Sequence, residues 1–367
     1  MQLRLIAALV IAGIIVGVAF PGRLTDVFGV ATLYVFLPAL IFEGAWRLHP
    51  PTMRRAWAAI TLLAVPGVLF TAVIIAICVH YFGHLPWISA LLLGAILSAT
   101  DPIAVLAIFR RLRLPNTLTT IIESEALLND AAAVVLYRAV LAASVIATAS
   151  LWQVTLHALL GTIFGVACGA AVAAIARILF SRDSNPFAYG IVMLAFAYGS
   201  YYLANHFDWS GIFAALTFGI AIRLFQNRRM EAEHWRAVGQ FWEGIGLVAN
   251  GALFFLIGAA LDLTRLGPAL PIALLTVAAV FLARFATAYG LLHLVRPRLH
   301  IAWMTVVRMA GIRGALSLAL ALATPLAIAD RDLIVDATFI VVVVTLLLGS
   351  LTLDRRMAGL GLPESHT

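Results

Sequence analysis

Residues 98–109 read SATDPIAVLAIF, an apolar stretch with Thr100, Asp101 and Pro102 near its start. Pro102 removes one backbone N–H donor and clashes with the preceding turn, so a helix through this stretch should break there. Inside a membrane, such a break is tolerated where it lines a cavity or is buried in protein. It exposes half-helix ends that can face an ion, with Thr100 and Asp101 placed to supply oxygens or to neutralise exposed amides. The alternative is a proline kink near the interface, with Asp101 as a helix cap.

The composition of the whole chain indicates that this stretch lies in a membrane. Apolar residues make up 63% of the 367 positions, and charged residues only 11%. A soluble globular chain uses about 25% charged residues, so this chain has too little polar material to cover a water-facing surface. Lipid is therefore predicted to be its main solvent.

A helix needs about 20 mostly apolar residues to cross the hydrocarbon core, and about twelve such segments are separated by short polar breaks. Long runs without period-two alternation do not suit a β-barrel, and an open sheet would leave its backbone unsatisfied in lipid. The sequence predicts an all-α, polytopic membrane protein. The predicted spans are roughly 3–20, 28–46, 56–82, 86–109, 116–145, 151–180, 186–204, 208–225, 240–262, 268–295, 301–325 and 332–353.

The 24 basic residues are all arginines, and connections rich in them alternate with connections that are nearly free of them. Only Arg23, Arg265 and Arg331 fall on the poor side. The positive-inside rule therefore predicts a multi-pass protein of the cell (inner) membrane with both termini in the cytoplasm. Because the membrane topology accounts for the excess of arginine, no nucleic-acid partner is predicted. The rich side holds Arg4, Arg47, Arg54, Arg55, Arg110, Arg111, Arg113, Arg177, Arg182, Arg223, Arg228, Arg229, Arg236, Arg296, Arg298, Arg355 and Arg356.

One transmembrane domain is predicted over residues 1–355, followed by a short cytoplasmic tail at 356–367. The first segment lacks a small-residue cleavage site, so we expect it to be a membrane helix rather than a signal peptide. No Ser/His pair, HExxH zinc signature or nucleotide-binding loop is present, so the sequence does not favour an enzyme. His157 lies deeper in its span than the other histidines and is expected to be a core residue.

Ionisable side chains inside the spans are the candidates for chemistry, because a charge at the bilayer centre costs about 3 kcal/mol or more. Some of them lie near span ends, where a long side chain can reach water. The deeper candidates are Asp101, Glu123, Glu125, Asp130, Arg284, Arg308 and Arg313, with Glu43, Arg138, Glu243 and Asp336 as further ones.

Residues 123–137 read ESEALLNDAAAVVLY. At about 100° per residue, Glu125 and Asn129 share one helix face, and Glu123 and Asp130 share another. Small residues follow Asp130 and allow a neighbouring backbone to approach. A carboxylate is a hard oxygen ligand suited to an alkali cation, and burial favours its protonated form, so a proton can compete. Alternatively, Asp130 hydrogen-bonds a neighbouring helix, and Glu123 is either on an ion path or solvated.

TDPIAV followed by ESEALLNDAAAVVLY resembles the sodium/proton exchanger branch of the monovalent cation/proton antiporters. The similarity covers nearly the whole predicted membrane domain. It extends to YVFLPALIFEGA (34–45), FWEGIGLVANGALFFLIGAAL (241–261), FLARF (281–285) and GIRGALSLALALATP (311–325).

The resemblance implies a secondary transporter that exchanges Na⁺ or Li⁺ for H⁺ by alternating access and serves pH homeostasis. It implies inverted repeats with two interrupted helices that cross, ion-binding helices at about 86–145 and 268–325, and a remainder that forms a scaffold and a homodimer interface. No cofactor and no catalytic residue are implied, since Na⁺ and H⁺ are the transported ions. The implied ion-binding residues are Asp130, Asn129, Thr100, Asp101 and Glu125, with Na⁺ held by Asp130 and Thr100.

The resemblance also pairs Glu125 with Arg284, and a buried arginine independently requires such a partner. Arg284 facing a wet vestibule is the alternative. Arg313 lies between the glycines of GIRGA, which favours a second helix break. A straight, tightly packed helix is the alternative there. Arg313 and Glu123 are accessory candidates for the site.

Two departures from the family pattern bear on the activity. Ala126 stands where the exchangers usually have a serine before the Leu-Leu-Asn-Asp run, so we expect weaker or altered cation affinity. Related exchangers often have thirteen helices, and this chain is predicted to lack the first. The single acid beside Asn129 predicts electroneutral exchange of one cation for one proton. A potassium/proton exchanger on the same scaffold and a cation channel remain the alternatives, because selectivity depends on fine site geometry.

Overall fold

A computed structural model of the chain describes residues 3–20, 25–48, 50–101, 115–145, 150–179, 185–226, 232–261, 266–295 and 299–357. These residues are almost entirely helical and contain no strand. Seven of the described helices are long and apolar enough to cross a membrane, and Ala7–Ala19, Trp87–Ile96 and Gly211–Phe225 are shorter apolar helices. The all-α membrane fold predicted from the sequence is confirmed.

The helices in the described parts of the chain are labelled in chain order. They are α1 (Leu3–Ala19), α2 (Thr25–Arg47), α3 (Pro50–Arg55), α4 (Trp57–Ala64), α5 (Pro66–Gly83), α6 (Trp87–Ile96), α7 (Asn116–Val145), α8 (Leu151–Leu179), α9 (Pro186–His206), α10 (Gly211–Gln226), α11 (Ala232–Ala260), α12 (Leu266–Phe285), α13 (Ile301–Met309), α14 (Ala315–Leu322) and α15 (Arg331–Met357).

Every predicted span contains at least one described helix, with differences that have local causes. The third predicted span is divided at Val65, because Pro66 lacks an N–H donor and takes the first position of a new helix. After Phe285 the tenth span widens into a π-helix (Ala286–Leu291) and then tightens into a 3₁₀ turn (Leu292–Leu294).

Several sequence predictions lie outside the described residues. They concern Pro102 with the rest of its span, the arginine-rich connections at 110–113, 182, 228–229 and 296–298, the positions Arg23 and Arg265, and the tail from residue 358.

Helix α1 belongs to the bundle and packs closely against α11. A Cβ atom added at Gly13 would overlap the backbone at Phe255, and one added at Gly258 would overlap the backbone at Val10. Small residues at such an interface allow two membrane helices to approach closely. The expectation that the first segment is a membrane helix agrees with this packing.

Two interrupted segments cross near the centre of the bundle. Helix α6 ends at Ile96, and residues 97–101 continue without regular helix. Residues 310–314 likewise separate α13 from α14. The N–H of Asp101 donates a hydrogen bond of 2.8 Å to the carbonyl of Ile312, which joins the two interruptions. The predicted crossing is confirmed, and the first break begins at Leu97, upstream of Pro102.

Two of the buried apolar clusters share helices. One joins α5, α6 and α7 to residues of α2, α9, α10, α12, α14 and α15, around the crossing. An aromatic cluster lies instead among α2, α9, α10 and α11, where the Phe42 and Trp242 rings are 4.3 Å apart between centroids. Helices α2, α9 and α10 contribute to both clusters, so they connect the aromatic cluster to the helices around the crossing.

Candidate functional site

The carboxylate of Asp130 lies on α7 beside the first interruption. A backbone hydrogen bond from Thr100 reaches this carboxylate. The atom Oδ1 is sealed from solvent and has no hydrogen-bond partner among the described residues. A buried polar atom without a partner is costly, since it forfeits its hydrogen bonds to water. Oδ1 is therefore available to a proton or a cation.

A cleft of about 100 Å³ opens beside Asp130 and has room for a few water molecules or a partly hydrated ion. Helix α14 and the first interruption form one wall, and α2, α7 and α11 form the other. The cleft is lined by Leu40, Glu43, Gly44, Arg47, Ala99, Thr100, Asp101, Glu123, Leu127, Asp130, Asn250, Gly314, Ala315, Leu316 and Ser317.

Acidic side chains dominate the charge of this cleft. Asp101, Glu123, Asp130 and Glu43 line it, whereas Arg47 is the single basic residue in its lining. Arg47 forms an ion pair with Glu43, one turn earlier on α2. A cleft lined by charges of one sign concentrates counter-ions, so this cleft favours cations.

The predicted pair of Glu125 and Arg284 is present and deeply buried, with 1% and 5% of each residue exposed. The guanidinium donates to both carboxylate oxygens, at 2.7 and 3.0 Å, and its Nε donates to the carbonyl of Val307 at 3.1 Å. Arg284 therefore does not face a wet vestibule. Glu125 does not line the cleft, and its engaged oxygens favour a positioning role over direct ion binding.

Asn129 connects this ion pair to the first interruption. Its Nδ2 donates to Oε1 of Glu125 and to Oγ1 of Thr100, both at 3.3 Å. Asn129 is 3% exposed and is absent from the cleft lining. Asn129 therefore lies behind the cleft wall and links the pair of Glu125 and Arg284 to the side chain of Thr100.

Arg313 stabilises the crossing from the second interruption. Its Nη1 donates to the carbonyls of Ser98 and Ala99, at 2.9 Å each. These carbonyls follow Ile96, the last residue of α6, so the buried guanidinium binds the first interruption just beyond the helix. Because residues 310–314 are not helical, the straight-helix alternative for GIRGA is wrong.

Other sequence candidates lie away from the cleft. Arg138 is exposed and donates to Oδ1 of Asn205 at 2.9 Å. Glu243 is exposed, Arg308 is half-buried, and Asp336 is buried on α15. The expectation that His157 is a core residue is wrong: it is exposed and lines a second cavity of about 590 Å³.

Three residues of the cleft lining were not predicted as site residues from the sequence. Glu43 was one of several acids within spans, and Asn250 and Ser317 were not singled out. An amide or hydroxyl in an apolar span serves helix packing as often as ion binding. The sequence therefore held no signal that distinguished them.

Two interrupted helices that cross beside an acid-lined cleft define a polytopic membrane protein with the architecture of a secondary transporter. The family model for the sodium/hydrogen exchanger transmembrane region matches residues 2–358. The chain therefore belongs to the sodium/hydrogen exchanger family.

The relatives are antiporters, hence transporters rather than enzymes. The low-affinity Na⁺/H⁺ antiporter NhaS1 of Synechocystis is 33% identical over 338 residues, which cover 89% of this chain and 64% of that protein. The Na⁺/H⁺ antiporter NhaP of Pseudomonas aeruginosa is 34% identical, with 90% of this chain and 82% of that protein covered. The chain thus spans less than two thirds of the length of NhaS1.

The fold also matches a solved structure. The sodium proton antiporter MjNhaP1 of Methanocaldococcus jannaschii at pH 8 superposes with a TM-score of 0.83 at 21% identity, covering 97% of this chain and 92% of that one. At this identity the match establishes the shared fold.

Proposed function

We propose that the protein is a secondary antiporter that exchanges Na⁺ or Li⁺ for H⁺ at a single carboxylate, Asp130. The observation that carries the proposal is Oδ1 of Asp130, which is buried, without a partner and beside an acid-lined cleft. The names of the relatives support exchange of Na⁺ for H⁺. A dehydrated alkali ion and a proton are both suitable occupants of such an oxygen.

The ion site is proposed to combine Asp130 with oxygens of Thr100 and Asp101. Sodium binds the ionised carboxylate, and a proton displaces it by neutralising that carboxylate. Because one group holds either ion but not both, each crossing of the membrane carries one or the other. Alternating exposure of the site to the two sides then couples the fluxes.

The cleft opens between the carboxyl end of α2 and the first half of α7, near Arg47 and Glu123. The arginine distribution assigns this end of the bundle to the cytoplasm. We therefore propose that the conformation described here is inward-facing, in the cell (inner) membrane. The homodimer and the role in pH homeostasis are proposals that follow from family membership.

Electroneutral exchange is proposed from the charges around the site. Asn129 is uncharged and Glu125 is paired with Arg284, so Asp130 is the group whose charge alternates. One sodium ion then replaces one proton. A flux reversal point that moves with membrane voltage at fixed ion gradients would contradict this stoichiometry.

Proton flux in reconstituted vesicles tests the function. Vesicles that hold a pH gradient and a fluorescent pH indicator receive Na⁺, Li⁺ or K⁺ in separate experiments. We expect Na⁺ and Li⁺, but not K⁺, to dissipate the gradient. A response to K⁺ would instead indicate a potassium/proton exchanger, and a cation current without proton counterflow would indicate a channel. No response to any cation would contradict the proposal.

A further inference from the structure

Ser317 lies in the first turn of α14 and faces the same cleft as Asp130. The residue is 1% exposed. Its Oγ is buried and has no hydrogen-bond partner among the described residues. The buried hydroxyl is therefore unsatisfied although it borders a polar cleft.

Other serines in this protein show what such a hydroxyl ordinarily does in a helix. Ser144 donates to the carbonyl of Leu141 at 2.7 Å, and Ser200 donates to that of Ala197 at 2.8 Å. Donation to the preceding turn is the usual solution for a helical serine. Ser317 follows the non-helical residues 310–314, so no regular preceding turn presents a carbonyl to it.

The other neutral polar side chains of the described cleft lining already take part in hydrogen bonds. Thr100 and Ser317 are the two hydroxyl residues in the described lining, and Oγ1 of Thr100 accepts a hydrogen bond from Asn129. The amide of Asn250 donates to the carbonyl of Gly246 at 2.8 Å. Oγ of Ser317 is therefore the lining hydroxyl that is free to turn both lone pairs toward an ion.

We infer that Ser317 is a further ligand of the transported cation, which it binds through Oγ opposite Asp130. The inference rests on the proposed exchange function and adds a residue from the second interrupted segment to its site. A hydroxyl is a neutral, hard oxygen donor, suited to an alkali ion. It stabilises the cation-bound form more than the protonated form, so it raises the affinity for sodium relative to that for a proton at Asp130.

Variants of Ser317 test this inference in the vesicle assay. Ser317→Ala removes the ligand, and we expect the KM for Na⁺ to rise about five- to tenfold, the usual worth of one such contact. The maximal rate should stay close to that of the wild type. Ser124→Ala is the matched control, because Ser124 is a fully buried serine whose Oγ also lacks a partner, but it lies outside the cleft lining.

A cysteine variant separates ion binding from packing. Ser317→Cys keeps nearly the volume of serine but offers a soft sulfur, a poor ligand for an alkali ion. We expect its KM to resemble that of Ser317→Ala. A KM for Ser317→Ala equal to that of the wild type, or a cysteine variant that behaves like the wild type, would overturn the inference.

Thermal unfolding in detergent distinguishes failure of this inference from failure of the proposed function. Sodium should raise the Tm of the wild type and of Ser124→Ala, and should raise that of Ser317→Ala less at the same concentration. If the wild type shows this shift but no sodium-driven proton flux, the exchange proposal fails and the ligand assignment stands. If flux is normal and the sodium-induced shift is the same in Ser317→Ala, the ligand assignment fails alone.

Discussion

The arginines near Asp130 bind other groups. Arg284 neutralises Glu125, and Arg313 is directed at the carbonyls of Ser98 and Ala99. Neither arginine lines the cleft. Because these buried guanidinium groups bind other acceptors, neither forms a described ion pair with Asp130, as the proposed exchange of a proton and a metal ion there requires.

The pH dependence of sodium affinity follows from this competition. In the proposed mechanism sodium binds the ionised form of Asp130, so protonation at lower pH removes the binding-competent state. We expect the KM for Na⁺ to rise as the pH falls, approaching about tenfold per pH unit, and to level off at high pH. Initial rates in vesicles at several pH values measure it. A KM that does not change with pH would contradict competition at one site.

Losing one partner of the buried ion pair of Glu125 and Arg284 should destabilise the protein more than losing both. Glu125→Leu or Arg284→Met alone leaves an uncompensated buried charge, at a cost of about 3–5 kcal/mol in the free energy of unfolding. We expect the double variant to be more stable than either single one. Thermal unfolding in detergent ranks the three proteins.

A partly exposed ion pair supplies the control for that experiment, because its acid faces solvent. Arg331 and Asp332 are 3.4 Å apart, and the Asp332 side chain is 57% exposed. Asp332→Asn should change stability by about 1 kcal/mol or less. If the double variant at Glu125 and Arg284 loses as much stability as the two single losses combined, the pair does not act as a neutralised unit.

Part of this site was predictable from the spacing of its residues and from the rarity of polar residues in apolar spans. Asp130 and Asn129 were predicted because acids and amides are scarce in apolar spans, and Arg284 because a buried arginine needs a partner. The link from Asn129 to Thr100 and the position of Ser317 were not predictable. They depend on where two distant segments cross, and spacing within one helix carries no information about that.

Close packing of the Asp101 side chain against the backbone at the crossing favours glycine at position 314. A Cβ atom there would overlap the side chain of Asp101. Gly314→Ala should therefore displace α14 or the first interruption, and reduce the maximal exchange rate by at least about tenfold, since small misplacements at a site are costly. Exchange rates in vesicles check this expectation.

Gly199→Ala is the control for that substitution, because a Cβ atom on α9 would meet nothing within 4 Å. Alanine in a helix is favoured over glycine by up to about 1 kcal/mol, so exchange should be unchanged and stability equal or higher. Normal exchange by Gly314→Ala would show that the crossing tolerates a wider separation than the structure indicates.

Helix existence was more predictable than helix boundaries. The predicted span 116–145 coincides with α7, because polar residues precede it and its apolar length is unambiguous. Helix α11 instead begins at Ala232, ahead of the predicted 240, since its first turns carry Glu233 and Arg236. Hydropathy detects lipid contact, so it misses turns that extend a helix into water.

Two cavities lie at opposite ends of the bundle. The cleft at Asp130 opens near the carboxyl end of α2, whereas the second cavity is bordered by the carboxyl half of α7 and by residues 208–210. In the orientation proposed from the arginine distribution, these ends face the cytoplasm and the outside, respectively. Asp130 lines the first cavity and does not line the second.

Thiol labelling tests this orientation. In a background with Cys78 and Cys168 replaced by serine, Leu40→Cys should react with a charged, membrane-impermeant reagent from the cytoplasmic side. Ala142→Cys should react from the outside. Val248→Cys is the control: it is 69% exposed, lines neither cavity and should stay unreactive in lipid. Reaction of Leu40→Cys from the outside alone would contradict the assigned orientation.

Proton release on sodium binding tests the central claim most directly. Purified protein in weakly buffered detergent solution, below the pH at which Asp130 is fully ionised, is titrated with Na⁺ while a pH indicator is followed. The wild type should release up to about one proton per sodium ion bound, because the ion displaces a proton from Asp130. Asp130→Asn should retain its fold and release none. Undiminished sodium-dependent proton release by folded Asp130→Asn would contradict the assignment of both ions to this carboxylate.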